Sequence, residues 1–301
     1  MKFERPNSRI TLHSLVAGAG LVGWLVLLVA ACAKSTPTGP TGPPAPGSTI
    51  VYTALGASDA IGIGASIPCV PFADCPAGTG YVPVAVRQLR AQGFTVTAYN
   101  WGIPTAVIGR DFQTLGQQYN RTIANNFIEG EAPFVMRNTT VVTIFAGANE
   151  VNTITAALGG SAGGSDPAGY IDAQVRAFGA DYSTLLGIIR SRAGSPQIVV
   201  LNVPNLAGLP FLAGASLSQK QAAQRAAVGM TTTVINPLTA QGVVVVDLMC
   251  DARSYQSATY SSDGFHPNDI GYSGIAAEVV KAITTNYPPP RSSCAQMSIV
   301  P

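Results

Sequence analysis

Thr140-Val141-Val142-Thr143-Ile144-Phe145-Ala146-Gly147 is an almost unbroken apolar run that ends in a glycine. A β-strand that is buried on both faces, as in a parallel sheet, has this pattern. Two further runs resemble it, Ile198-Val199-Val200-Leu201 and Val243-Val244-Val245-Val246. Together with two weaker β-branched segments they predict five strands, at residues 50–55, 94–99, 140–146, 197–202 and 243–248.

Helical patterns fill most of the segments between these strands. Gly93 follows the first of them and is a natural stop, and Pro167 lies in the first turn of the second. The predicted helices cover residues 82–92, 167 to about 192, 216 or 218 to about 234, and 268 or 269 to 284. Strands that alternate with helices imply right-handed crossovers. We therefore predict one α/β domain at residues 49–301, a three-layer α/β/α sandwich with a five-stranded parallel sheet.

The composition argues against several classes of protein. Only 11% of the 301 residues are charged, whereas an average globular domain has roughly 25%. The net charge is +2 and no basic residues cluster into the face that a nucleic acid needs. The two histidines, His13 and His266, are too few for a histidine-based zinc site. We expect neither a nucleic-acid partner nor a bound metal.

The N-terminus has the features of an export signal. Residues 1–14 carry three basic side chains and one acid, and an uncharged apolar stretch follows at 15–31. A basic start, an apolar stretch and small residues at a cleavage point describe a secretory signal. Because small residues precede Cys32, the segment also resembles the lipobox of bacterial lipoproteins, which implies removal of residues 1–31 and a lipid on Cys32. The alternative is a plain membrane anchor with an incidental cysteine.

Residues 32–48 are rich in proline, glycine and threonine and show no apolar periodicity. Such a segment cannot bury a core, and it predicts a semi-extended tether of ~50 Å, at about 3.1 Å per residue. A lipid at one end and a domain at the other give this spacer a purpose. We therefore expect the domain in the cell envelope or on the extracellular face, anchored to a bacterial membrane.

The cysteines agree with an exported protein. Besides Cys32 the sequence contains Cys69, Cys75, Cys250 and Cys294. An even number in an exported chain suggests two disulfides, and four cysteines allow three connectivities. We favour Cys69–Cys75, which closes a small loop, and Cys250–Cys294, which ties the C-terminal tail to the domain.

Chemically versatile residues follow the predicted strands. Ser58 comes after the first strand, Gly102 after the second and Asn149 after the third. Asp263 and His266 follow the fifth strand and a loop. Because ligand sites in open parallel sheets form beyond the carboxyl ends of the strands, we expect these five residues to converge at one edge of the sheet.

The five residues have the functional groups that acyl transfer needs. A serine hydroxyl becomes a good nucleophile when a base takes its proton, and His266 is the one imidazole that remains after export. Asp263 can fix the tautomer of this imidazole and stabilise its charged form. The tetrahedral intermediate needs donors for its oxyanion. The candidates are the backbone N–H groups of Gly102 and Ser58 and the side-chain amide of Asn149.

Four short blocks make the sequence similar to the SGNH hydrolases, also called GDSL-type esterases and lipases. They are Ala54-Leu55-Gly56-Ala57-Ser58, Asn100-Trp101-Gly102, Gly147-Ala148-Asn149-Glu150 and Asp263-Gly264-Phe265-His266-Pro267. The resemblance spans about residues 50–286 and implies a flavodoxin-like sandwich. It also implies Ser58 as nucleophile, His266 as base and Asp263 as supporting acid. Ser58, Gly102 and Asn149 would form the oxyanion hole, and no metal or organic cofactor is implied.

Two positions depart from the pattern of that family. The family usually has Asp directly before the nucleophile, where this sequence has Ala57 and places Asp59 after it. The asparagine block usually ends in Asp, where this sequence has Glu150. Neither change removes a catalytic atom. The first puts in doubt how the turn that carries Ser58 is hydrogen-bonded.

Two other motifs are similar to sites of different families. Gly159-Gly160-Ser161-Ala162-Gly163 matches a nucleophile elbow, but that elbow needs a strand before it and a helix straight after it. The run Gly62-Ile63-Gly64-Ala65-Ser66-Ile67 suggests a dinucleotide-binding loop but lacks the third glycine and the helix that follows. We expect no function of either kind from them.

The expected function is that of an exported serine esterase that works through an acyl-enzyme. Its partner would be a small-molecule, lipid or glycan ester, and the motifs do not separate a polysaccharide acetyl group from a lysophospholipid or a thioester. We expect a monomer, with loops at residues 66–80 and 156–169 shaping a substrate cleft. The alternative is a surface lipoprotein that keeps the fold without catalysis and binds a glycan or a protein partner.

Overall fold

The computed structural model describes residues 42–301. The predictions about the signal peptide, about Cys32 and about most of the tether concern residues outside this range. Within the range, every helix is too short or too polar to cross a membrane.

Five parallel strands form one sheet in the order β2-β1-β3-β4-β5. The strands are β1 (Thr49–Gly56), β2 (Thr95–Asn100), β3 (Val141–Phe145), β4 (Gln197–Leu201) and β5 (Val244–Val246). The register places Ala54 beside Asn100 and Gly56 beside Phe145. This strand order is the flavodoxin-like one, with its switch point between β1 and β3. The predicted fold is confirmed, and each strand ends within two residues of its predicted bounds.

Both faces of the sheet are buried, because alternate side chains of each strand enter different hydrophobic cores. Along β4, Ile198 and Val200 enter one core, and Val199 and Leu201 enter the other. Side chains of a strand alternate between the two faces of a sheet, so a sheet covered on both sides needs apolar residues at nearly every position. This requirement explains the continuous apolar runs of the sequence.

Helices cover the two faces unequally. One face carries α2 (Tyr81–Ala91) and α8 (Asp269–Thr284). The core on the other face is completed by α3 (Arg110–Gln118), α5 (Ala148–Gly159), α6 (Pro167–Ala193) and α7 (Leu217–Gly229). Two single-turn helices, α1 (Ser58–Ile61) and α4 (Phe127–Gly130), lie in the connections. Ser216 caps α7 in a capping box and Asn268 caps α8, at two of the positions where the sequence predicts these helices to begin.

Helices α3 and α5 were not predicted. The β-branched residues Val151, Ile154 and Thr155 lower the helix propensity of α5. Burial of Val151 and Ile154 in the core outweighs that preference. The loop that we expected at residues 156–169 is therefore wrong in its extent, because its first residues belong to α5 and its last to α6.

Two disulfides join Cys69 to Cys75 and Cys250 to Cys294, the connectivity favoured from the sequence. The second links positions 44 residues apart. In the chain-entropy account, closing a loop of that length stabilises the fold by about 4 kcal/mol. The C-terminal tail is thereby fixed to the segment that follows β5.

Candidate active site

Ser58 lies directly beyond the carboxyl end of β1 and begins α1. The turn has no side-chain cap. Instead, the N–H of Ala60 donates to the carbonyl of Ala57 (3.2 Å) and the N–H of Ile63 donates to the carbonyl of Ser58 (3.0 Å). Gly62 ends the helix at φ 77°, a conformation that glycine adopts without strain. Backbone bonds thus shape this turn without a carboxylate at position 57.

A continuous chain of hydrogen bonds joins Ser58, His266 and Asp263. Oγ of Ser58 is 2.8 Å from Nε2 of His266, and Nδ1 of His266 is 2.5 Å from Oδ2 of Asp263. An ionised carboxylate can only accept, so Nδ1 carries the proton of the neutral imidazole. Nε2 therefore has a free lone pair and accepts a hydrogen bond from the hydroxyl of Ser58.

The loop around Asp263 keeps this carboxyl group ionised. Its Oδ1 accepts from the hydroxyl of Ser261 (2.8 Å) and from the N–H groups of Phe265 (2.8 Å) and His266 (2.9 Å). Partial burial raises the pKa of Asp263, but these bonds and the bond from the His266 ring outweigh it and lower the pKa to about 2. The imidazole consequently faces a negative charge over the whole neutral range.

The candidate oxyanion donors differ in whether they are already bonded. One amide hydrogen of Asn149 binds the carbonyl of Ala106 (2.9 Å), and the other has no acceptor within residues 42–301. The N–H of Ser58 also lacks an acceptor in this part of the chain. The N–H of Gly102, in contrast, donates to Oδ1 of Asn100 (3.1 Å). Gly102 could serve an oxyanion only by exchanging this partner.

The segment that follows β2 packs closely on α1. A Cβ at Gly102 would lie 2.6 Å from Cβ of Ala60, so only glycine allows this approach. Nδ2 of Asn100 donates to the carbonyl of Ala60 (2.6 Å) and reinforces the contact. Gly102 and Asn100 together therefore hold this segment against the helix that carries Ser58.

Thr105 presents a backbone donor that the sequence did not indicate. Its φ of 65° is left-handed, and its N–H finds no acceptor among the described residues. The carbonyl of the next residue, Ala106, accepts from the side chain of Asn149, so Thr105 directly precedes a contact of the site. Threonine rarely adopts this conformation, and no sequence pattern signals it.

Glu150, the second departure from the family pattern, serves a neighbouring loop. It is 1% exposed, and its Oε1 accepts from the N–H of Ile108 at 2.5 Å. Burial raises the pKa of Glu150 to about 7. The side chain thus supports the segment beyond Thr105 and lies outside the chain of bonds that begins at Ser58.

Other candidate sites lack the geometry that their chemistry needs. Ser161 lies at φ 70° between α5 and α6, with no strand before it. Within residues 42–301, no group of three or more His, Cys, Asp or Glu side chains is placed to hold a metal ion.

A cavity of about 160 Å³ is lined by the sequence neighbours of three site residues, although the site residues themselves do not line it. These neighbours are Asp59, which follows Ser58, Ala148, which precedes Asn149, and Phe265, which precedes His266. The rest of the wall combines apolar side chains with two charged ones, and it includes Leu206, Leu209, Leu248, Ile270, Ile275, Asp251 and Arg253. An apolar cavity of this size accommodates a group of about six carbons.

Comparison with known proteins assigns the family. The model of the GDSL-like lipase/acylhydrolase family matches residues 53–273, so the chain belongs to this family. It is therefore a hydrolase of the SGNH superfamily. No curated protein sequence matches the chain.

Two solved structures are similar to the chain at low sequence identity. The lipase Lip_vut3 from a goat rumen metagenome is 17% identical with a TM-score of 0.53, and the match covers 79% of this chain and 99% of that one. An extracellular lipase from Streptomyces rimosus is 19% identical with a TM-score of 0.48 and coverages of 77% and 99%. The likeness to Lip_vut3 concerns the fold alone.

Proposed function

We propose that the protein is a serine esterase that hydrolyses carboxylic esters through an acyl-enzyme. The observation that carries the proposal is the chain of hydrogen bonds from Ser58 through His266 to Asp263. It has the connectivity of a nucleophile, a general base and an orienting carboxylate. Release of p-nitrophenol from p-nitrophenyl esters by the full chain in detergent tests the proposal.

In the first half-reaction, Oγ of Ser58 attacks the ester carbonyl while Nε2 of His266 takes its proton. The tetrahedral intermediate collapses as the bond to the alcohol oxygen breaks, and the imidazolium returns the proton to the leaving alcohol. In the second half-reaction, His266 activates a water that attacks the acyl-enzyme. The products are a carboxylic acid and free Ser58. Asp263 stays ionised throughout and stabilises the imidazolium.

The oxyanion is best served by donors that have no partner in the free protein. The N–H of Ser58, the second amide hydrogen of Asn149 and the N–H of Thr105 meet this condition within the described chain. Preorganised donors lower the barrier because they need no reorganisation during the reaction. Use of the N–H of Gly102 would first require loss of its bond to Asn100.

The apolar cavity supports an acyl chain of moderate length as the group that the enzyme recognises. Its lining includes the sequence neighbours of Ser58, Asn149 and His266, and this supports a path from the acyl carbon into the cavity. Each methylene group that it buries contributes about 0.8 kcal/mol. We therefore propose hexanoyl to octanoyl esters as better substrates than acetyl esters.

Replacing Gly274 by phenylalanine is expected to lower the preference for hexanoate over acetate by about tenfold. This preference is kcat/KM for the hexanoate ester divided by kcat/KM for the acetate ester, and the change corresponds to the loss of roughly two buried methylene groups. Gly274 lies in α8 and lines the cavity, and a Cβ built on it meets nothing within 4 Å. Because Gly274 lines the cavity and has room for a side chain, we expect the new ring to fill part of the cavity. Phenylalanine is no worse in a helix than glycine. The measurement is kcat/KM for p-nitrophenyl esters of two to twelve carbons.

Gly187→Phe is the matched control. Like Gly274, Gly187 lies inside a helix, here α6, and has open space where a side chain would begin. Unlike Gly274, it does not line the cavity. Its chain-length profile should follow that of the wild type. An unaltered profile in Gly274→Phe would refute the assignment of the cavity to the acyl chain.

We further propose that the protein is exported and held at a membrane by a lipid on Cys32. The support is the sequence alone: an uncharged apolar stretch, small residues before Cys32, and a proline-rich spacer after it. Cys32→Ser is expected to move the protein from the membrane fraction of a bacterial host to the soluble fraction. Retention in the membrane fraction would identify the apolar stretch as the anchor.

A further inference from the structure

Glu131 is a fully buried acid that the proposed mechanism does not use. It lies between α4 and the segment that leads to β3, and it is 0% exposed. Its backbone is fixed on both sides: its N–H donates to the carbonyl of Phe127 (3.2 Å), and its carbonyl accepts from Phe134 (2.9 Å). The side chain thus extends from a rigid base into the protein interior.

The carboxyl group of Glu131 binds the last residue of the strand that leads to Ser58. Oε2 accepts from the N–H of Gly56 at 2.8 Å. Beyond β2 the chain continues to pair with β1. The N–H of Trp101 donates to the carbonyl of Ala54 (2.9 Å), and the N–H of Ile103 donates to the carbonyl of Gly56 (3.1 Å).

In a regular parallel ladder, the N–H of Gly56 would bond to a carbonyl of the same neighbouring segment. The carboxyl oxygen of Glu131 occupies that place at the end of the ladder. The acid therefore fixes the end of β1, two residues before Ser58, to the chain between α4 and β3. The segment that carries Gly102 and Thr105 is held to the same end of β1 by the bonds of Trp101 and Ile103.

The surroundings of Glu131 disfavour the charged form of its carboxyl group. Burial raises its pKa well above the usual range, against the opposing effect of the N–H groups of Gly56 and Ile103. No ion pair within residues 42–301 includes it. An uncharged acceptor suits this place, because a fixed negative charge beside an oxyanion hole would oppose the charge that develops there.

We propose that Glu131 is a positioning residue: its carboxyl oxygen fixes Gly56 so that Ser58 and the donors of the segment after β2 keep their relative places. This inference rests on the proposed function for its kinetic consequence. The contact between Glu131 and Gly56 itself does not depend on that function.

Glu131→Met removes the acceptor and keeps most of the side-chain volume, whereas Glu131→Gln keeps a neutral carbonyl oxygen at the same reach. A misplacement of about 1 Å costs about 100-fold in rate, and we expect a loss of kcat of that order in Glu131→Met. KM for a short ester should change by less than about threefold, because substrate binding does not depend on this placement. Glu131→Gln should recover kcat to within about threefold of the wild type.

The exchange of the Gly56 amide hydrogen, followed by NMR, reports the contact without any substrate. Loss of a buried hydrogen bond frees this amide for local opening, so its exchange in Glu131→Met should be at least about tenfold faster than in the wild type. In Glu131→Gln it should stay close to the wild-type rate. Glu129→Gln is the matched control, since Glu129 is two positions away, is exposed and pairs with Arg110 at the surface.

Wild-type kcat together with wild-type Gly56 exchange in a folded Glu131→Met protein would overturn the proposal. Equal losses in Glu131→Met and Glu131→Gln would overturn it too, because they would assign the effect to the acidic proton. If the wild type hydrolyses no ester, the proposed function fails, and the positioning role stands or falls on the exchange of Gly56 alone.

Discussion

Ser58→Ala is expected to lower kcat for p-nitrophenyl ester hydrolysis by about four to six orders of magnitude, as nucleophile deletions do in other serine hydrolases. The variant keeps the oxyanion donors but has no atom that can attack the carbonyl. KM should change little, because the hydroxyl contributes to the transition state more than to substrate binding. Loss of one hydroxyl from a residue that is 6% exposed should leave the melting temperature close to that of the wild type.

The measurement combines steady-state hydrolysis with labelling by a fluorophosphonate, which phosphonylates an activated serine with loss of fluoride. The wild type should react at Ser58, and Ser58→Ala should not react. Ser161→Ala is the matched control, because Ser161 lies in the only Gly-x-Ser-x-Gly segment of the sequence and should be dispensable. Turnover that survives Ser58→Ala would remove Ser58 from the mechanism. A wild type with no turnover on any ester would favour a role in binding.

Asp263→Asn is expected to lower kcat by about 10³ to 10⁴-fold with little change in KM. The amide carries no charge to stabilise the imidazolium, and its NH₂ group can hold Nδ1 as an acceptor. That exchange would place the proton on Nε2, where it faces the hydroxyl of Ser58 and prevents the base from working. The geometry would survive while the tautomer is reversed.

The pH dependence tests the ionisation of Asp263. Because the pKa of Asp263 is about 2, the carboxylate gains its proton only when the pH falls to about that value. Between neutral pH and about pH 4, wild-type activity should therefore show no loss that is caused by protonation of Asp263. Asp269→Asn is the control, since Asp269 binds Ser66 rather than the imidazole. A wild-type rate in Asp263→Asn would exclude this carboxylate from catalysis.

Much of the fold followed from local patterns, because those patterns directly reflect burial. Strands such as Val141–Phe145 are apolar at every position since both faces of the sheet are covered. The start of α8 near Asn268 could be predicted, because an asparagine side chain there can accept from the first N–H groups of the helix. Helix α5 was missed because its β-branched residues disfavour the helix locally and only the tertiary core favours it.

The site was predictable where chemistry requires particular side chains. Ser58, His266 and Asp263 stood out because few residue types can perform their roles and because each follows a predicted strand. Glu131 gave no signal, since its role depends on a contact across 75 positions with a backbone N–H. The same holds for the left-handed backbone of Thr105 and for the bond that engages Gly102. Because nearly all residues have the same backbone N–H and C=O groups, a sequence does not reveal which of these groups will bond to a given side chain.

Strand β1 begins at the end of the sheet where the amino ends of the strands lie. It stops at the opposite end, where Ser58 follows it. Its eight residues span about 26 Å at about 3.3 Å per residue. A protein attached to a support through residues that precede Thr49 would therefore keep its reactive serine on the side away from the support. Immobilisation on a bead or an electrode through the N-terminal side should leave the entrance for substrate open, which makes that side the natural point of attachment for a reusable biocatalyst.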